Sequence, residues 1–110
     1  MIRYTTPTIN LSVHGIDLTG KEVYVTLEQD AFKMTKSGED LTLSVEVIEK
    51  VPVTGIAFTL SQEESAMFVY NKGVAVQANW ISSDGVRNAT SIKTIKVMRN
   101  LLDSVIEYGN

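Results

Sequence analysis

Residues 22–29 read EVYVTLEQ, in which Val23, Val25 and Leu27 alternate with Tyr24, Thr26 and Glu28. In extended chain, successive side chains leave on opposite faces, so a period of two makes one apolar and one polar face. A helix cannot use that pattern, because its apolar positions must recur every three or four residues. The same alternation places Leu41, Leu43, Val45 and Val47 against Thr42, Ser44 and Glu46, and it returns in Ile56, Phe58 and Leu60. Ile9, Leu11 and Val13 form an earlier run, Phe32 and Met34 a shorter one, and Val74, Val76, Ala78 and Trp80 a later one. With residues 90–97 the pattern predicts about seven strands, most of them rich in the Val, Thr and Tyr that suit a pleated surface.

The residues between the runs suit tight reversals. Residues 17–20 (DLTG) and 37–40 (SGED) supply small, turn-forming side chains and glycines. Pro7 precedes the first strand and Pro52 opens another, where a missing amide proton does least harm to a ladder. Strands at this spacing, with no helix of crossover length between them, indicate antiparallel pairing in an all-β sandwich. The 110 residues fit one domain, 1–110. Two short helical signals interrupt the strands. Ser61 and Glu64 have the spacing of a capping box, followed by about one turn. Residues 100–108 are expected to form a short C-terminal helix, capped at Asn100, with Leu101, Leu102, Val105 and Ile106 on one face. Those four side chains either pack on their own domain or dock on a partner; the pattern serves both.

Residues 79–97 hold the only tryptophan, an acidic turn and an arginine, a combination that invites a ligand-binding interpretation. Parity argues against it. Trp80 shares a face with Val74, Val76 and Ala78, which makes it a core residue, and residues 82–85 (SSDG) reverse the chain into an antiparallel return. The apolar residues of that return change parity between Ile92 and Ile95, which predicts a bulge around Lys93 and Thr94.

The chemistry-bearing residues do not converge. With no cysteine there is no disulfide, thiolate nucleophile or cysteine-based zinc site, and one histidine, His14, builds no histidine-rich metal site. His14 is expected to be a solvated turn residue. Glu63 and Glu64 are helix neighbours that do not face each other, and Asp84 with Arg87 reads as a surface ion pair at a turn. No phosphate-binding glycine loop occurs. The expectation is a protein that is not an enzyme and takes no cofactor or metal. The net charge is −3, with lysine and arginine dispersed among acids, which disfavours nucleic acid and anionic membranes as partners. No run approaches the length of a membrane span, and the N-terminal stretch MIRYTTPTINL lacks the apolar core of a signal peptide. The sequons at Asn10 and Asn88 read as ordinary strand residues.

A distributed resemblance adds to this reading. YTTPTI at 4–9, IDLTG at 16–20, VYVTL at 23–27, KSGEDL at 36–41, TLSQEE at 59–64, GVAVQANW at 73–80 and NLLD at 100–103, in that order, resemble small proteins encoded among bacteriophage and prophage structural genes. The arrangement is similar to the N-terminal β-sandwich of phage baseplate upper proteins. That resemblance implies an immunoglobulin-like sandwich and a noncatalytic assembly module of a tail or baseplate. It also implies phage structural proteins or further copies of the chain as partners, and a place in the virion after assembly in the bacterial host cytoplasm. The alternative expectation is a free-standing ligand- or carbohydrate-binding sandwich, in which exposed Tyr24, Tyr70 or Trp80 offers a stacking surface.

Overall fold

The alternating runs form strands, and most of the side chains they assign inward form the core. The computed structural model describes residues 1–108. Among these lie β1 (Thr8–His14), β2 (Glu22–Gln29), β3 (Phe32–Ser37), β4 (Thr42–Ile48), β5 (Val51–Thr59), β6 (Gly73–Ile81), β7 (Arg87–Ala89) and β8 (Lys93–Lys96). A 3-10 turn, Gly38–Asp40, joins β3 to β4, and one short helix, α1 (Gln62–Ala66), follows β5. All strand pairs are antiparallel and fall into two sheets. One has the order β1-β5-β4; the other has the order β3-β2-β6, with β7 and β8 end to end along the far side of β6.

Ile9, Leu11, Val13, Ile56 and Phe58 from the first sheet meet Val23, Val25, Leu27, Val74, Val76 and Ala78 from the second in one core. Burying each of the Val, Leu, Ile and Phe side chains contributes about 1.5–3 kcal/mol. Trp80 is 7% exposed and belongs to this core, as its parity predicts, with no hydrogen-bond partner in the protein for its indole N–H. The loop after β1 closes one end. Leu18 is fully buried, its amide donates to Thr54 Oγ1 at 3.1 Å, and that hydroxyl donates to the Ile16 carbonyl at 2.8 Å. The one polar side chain facing inward from β5 is thereby satisfied.

The structure corrects the sequence expectations in three places. The final strand is two strands. Ala89 faces Asn79 and Lys93 faces Val76, so four steps along one chain match three along the other, and one residue is extra. The bulge therefore lies at 90–92 rather than at Lys93 and Thr94. Thr90 stitches across it, donating from its amide to Ala78 O at 2.9 Å and accepting from Ala78 N at its hydroxyl, 3.1 Å. The shift in parity turns Ile95 toward the core and buries Val97, leaving Ile92 exposed. Second, Arg87 hydrogen-bonds Asn79 Oδ1 at 3.1 Å instead of pairing with Asp84. Asp84 serves the turn, accepting from Ser82 Oγ and the Val86 amide, and these bonds, the Ser82 bond first, hold its carboxyl below the usual range.

Third, residues 100–108 are not helical. The cap bond forms, with Leu102 N donating to Asn100 Oδ1 at 3.1 Å, but no helix follows it. Instead Gln62 clasps Ile106, accepting from its amide at 2.8 Å and donating to its carbonyl at 2.9 Å. The Ile106 amide is a group that a helix over 100–108 would use for itself. A stretch this short is marginal as a free helix in any case.

Candidate interaction surfaces

The core is complete without two groups of apolar residues, and those groups are the candidate site. The first is the tail. Leu101 is 87%, Leu102 56%, Val105 39% and Ile106 60% exposed, so all four residues singled out from sequence lie at the surface. Tyr108 is also exposed. The tail is tethered by polar groups: Asn100 Nδ2 donates to Arg3 O at 3.0 Å, and Gln62 holds Ile106. Ile106 and Tyr108 thus stand over a cleft of about 380 Å³ whose other wall is Thr6, Ser61, Gln62 and Glu63.

A formed capping box holds the cleft wall. Glu64 N donates to Ser61 Oγ at 3.1 Å, and Ser61 N donates to Glu64 Oε1 at 2.9 Å. The other carboxylate oxygen of Glu64 accepts from Lys36 of β3, which ties α1 to the second sheet. Partial burial pushes the Glu64 carboxyl up, but the Lys36 and Ser61 bonds outweigh it and leave the group below its usual range. Ser65 Oγ donates to Thr5 O at 2.7 Å and Arg3 Nη2 to Ala66 O at 2.7 Å, fixing the N-terminal segment to the same helix.

The second group is the β4–β5 hairpin tip, which the sequence reading did not single out. Glu49 and Lys50 form a two-residue turn with φ of 50° and 68°, the left-handed geometry that matches strand twist. Val45 and Val47 lie on the core-facing side of β4, yet the second sheet does not reach them: Val47 is 69% exposed. Ile48 and Val51, on the opposite side, are exposed as well. The available signal was the length of β5, 9 residues, with apolar side chains on both faces at its start. At the strand rise of about 3.3 Å per residue, β5 separates the tip from the α1 and tail end by about 30 Å.

A third surface is polar. On the outer face of the second sheet Tyr24 is exposed beside Asn79 and Arg87, with Thr26 and Thr35 hydrogen-bonded to each other at 3.2 Å. Tyr70 is exposed in the turn after α1, while the burial of Trp80 removes it from any stacking role. His14 lies exposed at the end of β1, opposite Val53, and it does not line the cleft that Glu63 lines. Asn10 and Asn88 lie in β1 and β7. Among the described residues no group of three or more acids or histidines is placed to hold a metal ion, and no helix is long and apolar enough to cross a membrane.

No protein-family model matches the chain, and no curated protein matches it either.

Proposed function

We propose that the chain is a noncatalytic assembly module of a phage or prophage virion, in the tail or baseplate region. Its immunoglobulin-like sandwich presents Leu101, Leu102, Val105 and Ile106 to a structural partner or to another copy. The observation that carries this reading is the exposure of four large apolar side chains on a tethered, nonhelical tail beside a complete core. Apolar groups gathered in this way mark interaction sites. On docking, residues 100–108 take the helical form their pattern favours, with the four side chains filling a partner groove. The partner surface supplies the packing that a free helix of this length lacks. The resemblance of seven ordered stretches to phage structural proteins supplies the biological setting.

Two measurements test the proposal. Particles purified from cells carrying the gene contain its peptides by mass spectrometry if it is a virion part; particles without them overturn that assignment. Replacing Leu102 and Ile106 together by Asp abolishes incorporation while leaving a folded protein, and incorporation at the original level overturns the tail as the docking element.

The outer face of the second sheet favours a second reading, a carbohydrate-binding sandwich. The exposed Tyr24 ring lies beside Asn79 and Arg87, which offer an apolar stacking plane next to hydrogen-bonding groups. Binding of a glycan probe that is lost in Tyr24→Ala supports this reading; no binding across a broad glycan set removes it.

A further inference from the structure

We infer that the free edge of β4 pairs with β4 of a second copy of the chain, antiparallel and centred on Val45, joining two three-stranded sheets into one continuous sheet. This rests on the assembly reading above and names a contact and partner for it. The edges of the two sheets are not equivalent. The β7–β8 edge is broken by the bulge, and residues 1–3 cover its end through the Ile2–Met98 bridge. The β3 edge carries Lys33 and Lys36. Inward side chains of β1, at Ile9, Leu11 and Val13, are already covered, so pairing there gains no apolar burial. β4 has fewer of the devices that keep edges apart: no proline, no lysine and no bulge over its 7 residues, with Glu46 its one charged side chain.

The geometry of β4 fits a two-fold contact. In a hairpin closed by a two-residue turn, Ile48 and Val51 are the hydrogen-bonded closing pair, and alternation then points the peptide groups of Leu43, Val45 and Val47 away from β5. Pro52, opposite Val47, agrees, since that position of β5 gives no amide to β4. A two-fold through Val45 sets Val45 against its own copy and Leu43 against Val47, so the outward peptide groups meet each other in about six hydrogen bonds. The same residues carry the uncovered side chains of the inner face, and the copy covers them. Ser44 falls opposite Glu46, so no like charges face each other. Continued into the flanking turns, the register brings Lys50 of one copy toward Asp40 of the other, and neither is in a salt bridge within the chain among the described residues.

The test is molar mass by light scattering over a concentration series of the full chain. The expected result is a concentration-dependent species of twice 12.1 kDa. Val45→Pro removes the outward amide without taking a hydrogen bond from the β4–β5 ladder and gives a folded monomer, with Val47→Lys as a second edge variant should the fixed φ of the proline disturb the strand. Lys50→Asp weakens the dimer at least several-fold, and adding Asp40→Lys restores it. A wild type that stays monomeric at every concentration overturns the inference, as does a dimer that survives both edge variants. If the Leu102 and Ile106 double Asp variant is monomeric while Val45→Pro remains dimeric, the contact belongs to the tail: the edge is overturned and the assembly reading stands. A dimer lost in Val45→Pro from a chain absent from purified particles leaves the edge in place and removes the virion assignment.

Discussion

At the scale of single residues, parity and capping carry the most weight. Trp80→Ala removes the largest side chain of the core and is expected to cost about 3–5 kcal/mol, read from urea denaturation. A change in binding with no loss of stability would contradict its packing role. Glu64 holds the Ser61 amide and Lys36 at once, and its carboxyl lies below the usual range despite partial burial. A carboxyl depressed on folding stabilises fully above its unfolded value, and the contribution disappears as pH falls through the lower folded value. The Glu64→Gln protein is therefore expected to lose about 1 kcal/mol at neutral pH and to show a flatter acid limb than wild type. Thermal melts between pH 2 and 7 compare the two directly. Both roles are partly visible in sequence: the capping spacing of Ser61 and Glu64 is local, whereas Lys36 is 28 positions away and enters only through the fold.

Among the elements, the bulge and the hairpin turn respond to length and to backbone conformation. One residue between Ala89 and Lys93 is extra, and it converts the inward set from Asn88 and Thr90 to Ile95 and Val97. Deleting Ser91 alone straightens the strand and keeps Ile95 opposite Val74, so cooperative unfolding and buried-Trp80 fluorescence are expected to persist. Deleting Ser91 and Ile92 together moves Ile95 and Val97 to the solvent face, and both signals are expected to collapse. The parity change was legible in sequence, but its position was not, because Ile92 resembles a core residue until the Thr90 bonds to Ala78 place it outside. At the β4–β5 turn, Glu49 and Lys50 occupy left-handed conformations that favour Asn and Gly. Glu49→Asn with Lys50→Gly is expected to raise stability by about 1 kcal/mol in denaturant titration.

For the whole molecule, the radius of gyration is 15.5 Å, against about 13 Å for a compact chain of this length, and the hairpin tip and the tail lie outside the core. Because neither belongs to the core, replacing Leu102 and Ile106 by Asp is expected to change the stability of the isolated chain by less than about 0.5 kcal/mol. A large loss of stability would show that the tail packs on its own domain. Alternation by itself determined the strands, their inward faces and the burial of Trp80, because a period of two leaves a strand only one apolar face to bury. Turn residues and the capping box likewise act within a few positions, so they too were legible. Only the tertiary structure decided which edges stay open, how far the second sheet reaches along β4, and whether residues 100–108 hold a helix. Those depend on which surfaces meet across the sandwich and on Gln62 reaching Ile106, 44 positions away. An apolar side chain at an uncovered sheet end has the same local pattern as one in the core; only its neighbours across the sandwich distinguish them.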